Sequence, residues 1–439
     1  MSVNIGSDPR KLGVFSLTTL LVSAHYGLGF LLGTAEQALE RGIEGSLYAI
    51  SIGLGFFALL ILAKFYWQQV EPIWTLLGNR YGKSVKIGVG LMSWMSLIGI
   101  EAVQIMAGSA ILAVVGVPVL PSMVVLTLLF CLLSQLPVEK ASWFLRGLLF
   151  LNIFALVYSL WALQGLPIMA RSPGEFLASL PQIDAGEGFG ISLSTMLLVA
   201  IDMKCQQYLV CALDVRTAIW SCILAAAILM TLALLPATLI IVAQQAAIIP
   251  ANLDGKEVIP YILTWVGGGT KNPFGIMAIV TLAVPALGLG SSVLRVQTKT
   301  FFDLEIVPQW SGARWTIAII NALLALAVAL TGGEIIDLIL LFYATYLSAA
   351  WIPFLAYLLD YLGAYNFSPN SVKLSLLMGS LSALTTLSLI LVRPEAVIFG
   401  SDRLTIMIVG IGMAGGSLLI SDLSEKMPIV LSVKKETRS

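Results

Sequence analysis

Residues 23–36 read SAHYGLGFLLGTAE and lie in the first long apolar segment of the chain. This stretch holds three glycines, a carboxylate and the only histidine of the protein. Glycines this dense loosen a helix, and unwound backbone is tolerated at membrane depth only where it is buried in protein or lines a cavity. A plain membrane anchor needs none of these residues. The stretch therefore predicts a broken helix that turns its peptide groups toward a binding site.

The composition predicts an integral membrane protein. The 439 residues are 58% hydrophobic and 11% charged, whereas soluble domains carry about 25% charged residues. A helix needs about 20 mainly apolar residues to cross the hydrocarbon, so we expect an all-α, polytopic protein in contact with the lipid bilayer, with about 12 transmembrane helices. The candidate segments are 12–36, 45–66, 85–115, 121–137, 144–166, 188–212, 216–243, 274–300, 313–331, 335–360, 370–392 and 402–421.

The positions of Lys and Arg predict the orientation. With a cytoplasmic N-terminus, most of these cations fall on the cytoplasmic side, as the positive-inside rule requires. Both termini are then cytoplasmic, as in a multi-pass protein of a bacterial-type inner (plasma) membrane. We expect residues 1–421 to form a single transmembrane domain and 422–439 a short cytoplasmic tail. The net charge of zero suggests no nucleic-acid partner, and no obligate protein partner is evident.

A second interrupted segment lies in the sixth predicted span, where residues 202–207 read DMKCQQ. Five spans separate its start from the start of the first broken helix, so a repeat of five spans would be inverted in the membrane. Broken helices at matching places in two halves indicate a central binding site. We expect repeats over about 12–166 and 188–360, with extra helices over 370–421.

Several motifs, in this order along the chain, carry a family resemblance. They are AHYGLGFLLGTAE at 24–36 with RGIEG at 41–45, TLLGNRYG at 75–82, QQYL at 206–209 with DVRTA at 214–218, and SSVL at 291–294 running to FDL at 302–304. Together they resemble the sodium:solute symporter family. The resemblance implies a leucine-transporter-type fold, with a core of five plus five inverted helices and breaks in core helices 1 and 6. It also implies solute uptake driven by sodium.

The resemblance implies a sodium site as the metal site, with no other cofactor. The groups that would bind the ion are the backbone carbonyls of Ala24 and Gly27 and the hydroxyls of Ser291 and Ser292. The family places hydroxyl residues about four turns before the terminal aspartate of the eighth core helix. This chain has Leu287 and Gly288 at those positions, whose side chains offer sodium no oxygen. A proton gradient, or the gradient of the solute itself, therefore stays open as the driving force.

Polar residues in membrane spans are costly and usually face the interior or a cavity. The candidate solute-binding residues are His25, Tyr26, Gly27, Leu28, Gly29, Glu101, Gln104, Asp202, Gln206 and Gln207. His25 can exchange a proton near neutral pH; the alternative is a packed histidine bonded to a neighbouring carbonyl. Glu101 and Gln104 share a helical face, where they either line the solute path or form an interhelical hydrogen-bonded pair.

Charged and amide groups at the second break also have two interpretations. Asp202 and Lys204 either serve the site or neutralise each other in a purely structural pair. Gln206 and Gln207 can each hydrogen-bond an amide or a carboxylate of a solute.

The sequence contains no catalytic triad, nucleotide-binding loop or metal-ligand spacing, so we do not expect an enzyme. We expect a secondary active transporter, symporter-like, that moves a small organic solute by alternating access and is coupled to sodium or protons. A proton-coupled form would protonate His25, Glu101 or Asp202. The alternatives are a solute sensor that keeps the transporter fold and an uncoupled facilitator.

Overall fold

The computed structural model describes residues 12–135, 138–308 and 310–436. Within these ranges the chain is helical and forms no β-strand beyond an isolated parallel bridge between Leu12 and Ala212. The predicted all-α class is therefore confirmed.

The α-helices follow one another along the chain with short connections. They are α1 (Val14–His25), α2 (Thr34–Arg41), α3 (Leu47–Gln68), α4 (Ile73–Tyr81), α5 (Lys83–Ala113), α6 (Val119–Ser134), α7 (Val138–Ala162), α8 (Leu166–Ser179), α9 (Ala185–Ile201), α10 (Met203–Leu209), α11 (Val215–Gln245), α12 (Val258–Val266), α13 (Pro273–Asp303), α14 (Ala313–Ala329), α15 (Ile335–Tyr361), α16 (Pro369–Val392) and α17 (Asp402–Glu436).

Length and apolar composition identify the helices that can cross a membrane. Seven in the described residues qualify alone, and the number rises to 9 if each of two bent helix pairs is one span. Three shorter apolar helices correspond to further predicted segments: α6 to 121–137, α14 to 313–331, and α1 to the first half of 12–36. About 12 transmembrane helices is thus consistent with the architecture.

The first predicted break occurs where the glycines lie. Helix α1 ends at His25, and Tyr26 leaves the helical conformation with φ −79° and ψ 73°. The chain resumes as a π-helical turn over Gly29–Gly33 and continues into α2. A π-helical turn within a helix often marks a functional site.

Close packing explains two of these glycines. A Cβ atom on Gly27 would lie 2.7 Å from Cδ2 of Leu289, and one on Gly29 would lie 2.6 Å from Cδ1 of Ile339. Both separations are shorter than real Cβ contacts. Helices α13 and α15 can approach the break and the following π-helical turn this closely only because the backbone carries no side chain at Gly27 and Gly29.

The second predicted break is made by Asp202. Helix α9 ends at Ile201 and α10 begins at Met203, and the two axes are bent by 41°. Asp202 has an extended backbone, with φ −67° and ψ 123°. Its carboxylate Oδ1 accepts a hydrogen bond of 2.7 Å from the backbone N–H of Lys204. Asp202 therefore caps the new helix, which is a favoured role for aspartate.

The chain divides into two compact units. The first, Met1–Val70 with Leu97–Leu340, contains both helix breaks. The second is Glu71–Ser96 with Leu341–Ser439, so the division falls within α5 and α15.

Within the second unit, Ser348 of α15 packs against both α16 and α17. A Cβ on Gly379 would lie 2.7 Å from the carbonyl oxygen of Ser348. The Ser348 hydroxyl donates to the carbonyl of Ile406 at 3.1 Å. The extra helices predicted over 370–421 correspond to α16 and α17, and α17 continues to Glu436 through most of the segment predicted as a tail.

Candidate functional site

The two helix breaks are in direct contact. The Lys204 ammonium, at the start of α10, donates to the carbonyl oxygen of Ala24 at 3.2 Å. The same ammonium lies 3.3 Å from Oδ2 of Asp202. Ala24 belongs to the last turn of α1, where helix carbonyls have no partner within the helix. Residues 180 positions apart in the chain thus meet at one point.

His25 lies between the two breaks. Its Nδ1 is 3.1 Å from the carbonyl of Leu21, and its Nε2 is 3.6 Å from Oδ2 of Asp202. A carbonyl only accepts hydrogen bonds, so Nδ1 must carry a proton for the first contact. The imidazole ring also stands edge-on to Phe56, with ring centroids 5.1 Å apart. His25 is therefore packed and bonded to a neighbouring carbonyl, as one of the two alternatives predicted, and its other ring nitrogen faces a carboxylate.

Asp202 is buried beside the Lys204 ammonium, which balances its charge. Its exposed fraction is 8%, and Lys204 and His25 lie against Oδ2. Burying a carboxylate is costly unless it is paired and hydrogen-bonded. The predicted structural pairing of Asp202 with Lys204 is present in the fold, and the pair extends to the backbone of α1 through Ala24.

The unwound stretch after α1 is enclosed by apolar side chains. Tyr26, Leu28 and Phe30 are each at most 1% exposed. The Tyr26 hydroxyl lies 3.4 Å from Oδ1 of Asn152 in α7. Tyr26, Gly27, Leu28 and Gly29 thus form a continuous buried segment at the first break.

The two predicted glutamines of α10 have different environments. Gln206 is 2% exposed, whereas Gln207, the next residue, is exposed. Only Gln206 is therefore enclosed beside the break.

Glu101 and Gln104 share a face of α5, and Gly108 on the same face as Glu101 packs against α6 and α13. Val103 is the residue of α5 near Gly29, with Cγ1 3.7 Å from the position of a Cβ there. Gly108 shares the face of Glu101, seven residues away, and packs against Leu126 of α6 and Ala286 of α13.

Glu101 is also unusual in its burial. Its exposed fraction is 0%. Among the residues that the structure describes, neither of its carboxyl oxygens has a hydrogen-bond partner, and neither does Oε1 of Gln104. The predicted interhelical hydrogen-bonded pair therefore does not engage the Glu101 carboxyl. An ionised carboxylate is expensive in such surroundings.

The four predicted sodium ligands are not equally placed. The Ala24 carbonyl already receives the Lys204 ammonium, and Gly27 faces the Leu289 side chain. The Ser291 hydroxyl donates to the carbonyl of Gly288 in its own helix at 3.2 Å. Ser292 shares the face of Leu289, three residues away. No group of three or more His, Cys, Asp or Glu side chains in the described part of the chain could hold a metal ion.

Helix α2, which follows the first break, is joined to a loop. Glu36 of α2 accepts from the backbone N–H of Ile335 at 2.9 Å and pairs with Lys256 at 2.9 Å. Partial burial works against the charge of Lys256, but the hydrogen bond and ion pair with Glu36 outweigh it and raise the pKa of Lys256. The loop is thus held by a partly buried ion pair.

Sequence reasoning did not foresee the contact between Lys204 and Ala24. The sequence did contain one sign of it, because Lys204 lies inside an apolar segment, two positions after Asp202. A second unforeseen contact joins Tyr66 of α3 to the carbonyl of Ala200 in α9, at 2.6 Å.

Similar architectures occur in solved transporter structures. A substrate-bound, Na⁺-coupled sialic acid symporter aligns with a TM-score of 0.61 at 12% identity, over 95% of this chain and 96% of that chain. Mhp1, a nucleobase-cation-symport-1 family transporter with bromovinylhydantoin bound, gives 0.57 at 16%, over 94% of each chain. MhsT in complex with L-phenylalanine gives 0.55 at 16%, over 94% of this chain and 99% of that chain.

The chain has a leucine-transporter-type fold. The predicted fold, with its broken helices 1 and 6, is therefore confirmed. These structural neighbours are transporters rather than enzymes. The shared fold and the long apolar helices together identify this chain as an integral, multi-pass membrane protein. No model of a protein family matches the sequence, and no curated protein matches it significantly.

Proposed function

We propose that this chain is a secondary active transporter that moves a small organic solute by alternating access around the two helix breaks. The observation that carries the proposal is the direct contact of two interrupted, buried helices in a transporter fold. Interrupted helices leave peptide N–H and carbonyl groups without helical partners, and such groups can bind the polar ends of a solute at the middle of the membrane.

The buried side of the breaks provides the solute contacts in this proposal. The backbone of Tyr26, Gly27, Leu28 and Gly29 supplies peptide groups, and the Tyr26 ring supplies an apolar wall. Gln206 supplies an amide that can both donate and accept. Lys204 and Asp202 join the second break to the Ala24 carbonyl of the first, beside His25. Gln207 has no direct role in this proposal because its side chain is exposed.

The two adjacent glutamines provide a matched test. The solute is first identified by thermal-shift screening of the purified protein against metabolites, and its radiolabelled form is then used for uptake into proteoliposomes. We expect Gln206→Ala to reduce uptake about tenfold, the effect of losing about 1.4 kcal/mol of binding. Gln207→Ala should transport like the wild type. Equal effects of the two substitutions would contradict the assignment of the site to the buried side.

Proton coupling through Glu101 is the finer part of the proposal. Because a buried carboxyl without hydrogen-bond partners is costly as an anion, the neutral acid fits the arrangement around Glu101. A conformation that admits water to Glu101 would release the proton. Glu101→Gln should keep solute counterflow but lose accumulation driven by an inward proton gradient. Glu175→Gln, on the exposed surface of α8, is the control.

Sodium is the second coupling ion to test, because one structural neighbour is a Na⁺-coupled symporter. Uptake is therefore measured with a sodium gradient, a proton gradient, both and neither. If neither gradient drives accumulation of the solute but saturable counterflow is retained, the protein is an uncoupled facilitator. Solute binding without any flux would indicate the sensor.

We also propose a single transmembrane domain over 1–421 with both termini in the cytoplasm of a bacterial-type inner membrane. The support is the excess of Lys and Arg in segments assigned to that side. A fluorescent protein fused after Ser439 should fluoresce in cells, whereas a periplasmic phosphatase fused there should be inactive. The opposite pattern would reverse the orientation.

A further inference from the structure

Lys204 lies where the backbone of the first break needs a positive charge. Its ammonium contacts the Ala24 carbonyl at 3.2 Å and Oδ2 of Asp202 at 3.3 Å. The side chain of Lys204 is 17% exposed and that of Asp202 is 8% exposed. The two opposite charges are therefore mostly enclosed, and each partly compensates the burial of the other.

The Ala24 carbonyl is a natural ligand for a cation. It lies in the last turn of α1, where unpaired carbonyls give the helix C-terminus a negative partial charge. A carboxylate oxygen of Asp202 lies on the other side of the ammonium. Two oxygen atoms thus face one nitrogen, and hard cations such as sodium prefer the same kind of ligand.

Leu289 and Ser291, two described residues of α13 near the break, do not complete an oxygen shell around a cation there. Leu289 of α13 presents its side chain to Gly27. The Ser291 hydroxyl is bonded to Gly288 within its own helix. The positive charge at the Ala24 carbonyl is therefore the Lys204 ammonium, which belongs to the chain itself.

We propose that Lys204 is a tethered cation that occupies, at the Ala24 carbonyl, the place a bound sodium ion would take. This inference rests on the proposed function, since it concerns how the transport cycle is powered. A tethered charge cannot cross the membrane with the solute, so a sodium gradient does no work through this position. When the two breaks separate, Lys204 must leave Ala24, and the ammonium thereby links the conformations of α1 and α10.

Removing the ammonium should expose the underlying cation site. In Lys204→Met, the buried Asp202 carboxylate and the Ala24 carbonyl lose their cation, and a free cation can replace it. In the double variant Asp202→Asn with Lys204→Met, no buried anion remains to attract one. Lys204→Gln keeps a hydrogen-bond donor near Ala24 but removes the charge, and it serves as a second test if the methionine variant does not fold.

The experiment measures the thermal unfolding midpoint of purified protein in detergent, at constant pH and ionic strength. Chloride salts of sodium, ethylammonium and choline are compared. The wild type should have nearly the same midpoint in sodium and choline. Lys204→Met and Lys204→Gln should unfold at lower temperature in choline and show a saturable rise in sodium or ethylammonium. The double variant should show no such rise, and Lys271→Met, on an exposed loop lysine, should match the wild type.

Two outcomes overturn the inference. One is an equal response of the wild type and both Lys204 variants to every salt. The other is a sodium response in the wild type that is lost in the Lys204 variants. The unfolding measurement does not depend on transport, so the two proposals can fail separately. If the protein moves no solute but shows the expected salt pattern, the proposed function is wrong and the inference about Lys204 still holds.

Discussion

The two helix breaks leave equivalent backbone groups without helical partners but satisfy them in different ways. At the end of α1, the Ala24 carbonyl receives the charged ammonium of Lys204 at 3.2 Å. At the end of α9, the Ala200 carbonyl receives the neutral hydroxyl of Tyr66 at 2.6 Å. The difference shows two ways to satisfy an unpaired carbonyl at the end of a broken helix. A charged donor needs a counter-charge nearby, whereas a neutral donor does not.

The origins of the two breaks also differ. The first depends on the small size of Gly27 and Gly29, which lets Leu289 and Ile339 pack against the break and the π-helical turn after it. The second depends on the carboxylate of Asp202, which starts α10 and holds the ammonium. The first break is thus built by sterics and the second by electrostatics, and substitutions should separate the two.

The largest effect is expected for Asp202→Ala. This change removes a helix cap and leaves Lys204 buried without its anion, which should cost about 3 kcal/mol of stability. Asp184→Ala is the matched control, because Asp184 caps α9 by accepting from Glu187 N–H at 3.0 Å but is exposed. Its loss should be about 1 kcal/mol. Chemical unfolding of both variants in detergent measures the difference. Equal losses would mean that capping alone maintains the second break.

A steric test of the first break follows in size. Gly29→Ala should destabilise the protein by about 2 kcal/mol, because the added methyl group would overlap Cδ1 of Ile339. Ile339→Val removes that carbon atom. In a double-mutant cycle, the second substitution should recover much of the loss caused by the first. Strict additivity would show that the added methyl group is opposed by neighbours other than Ile339, such as Val103 and Ile335.

The neutral donor should matter less than the charged one. Tyr66→Phe leaves the Ala200 carbonyl without the hydroxyl and should cost about 1 kcal/mol. Tyr158→Phe, on a ring that is 47% exposed, is the control and should be nearly neutral. A loss for Tyr66→Phe as large as that for Asp202→Ala would remove the contrast between the two breaks.

The smallest effect is expected at Ser291. Its hydroxyl donates to the carbonyl of Gly288 in its own helix, so Ser291→Ala should change stability by less than about 0.5 kcal/mol. The response of the unfolding midpoint to sodium should also be unchanged. A sodium response that disappears in Ser291→Ala would restore this residue as an ion ligand.

The sequence predicted the positions of both breaks because their causes are local. Dense glycines mark the first and a run of polar residues marks the second, and both stand out within apolar segments. The contact between Lys204 and Ala24 could not be predicted in the same way. It joins residues 180 positions apart, and only the packing of α1 against α10 brings them together.

Helical periodicity was sufficient for part of the site and insufficient for the rest. It correctly groups Glu101 with Gln104 on one face of α5. It does not reveal that this face meets α6 and α13 while Val103 meets Gly29. Likewise, Ser291 and Ser292 are adjacent in sequence but point in different directions, and only the packing of Leu289 against Gly27 identifies which side of α13 approaches the break.

The short bridge at Leu12 gives the two broken helices a second attachment. Leu12 N–H donates to the Cys211 carbonyl at 2.9 Å, and Leu213 N–H donates to the Leu12 carbonyl at 3.1 Å. Helices α1 and α10 are therefore fastened near both of their ends, by peptide hydrogen bonds at one and by an ammonium at the other. Any motion of one of these helices should therefore carry the other with it until one of the two attachments breaks.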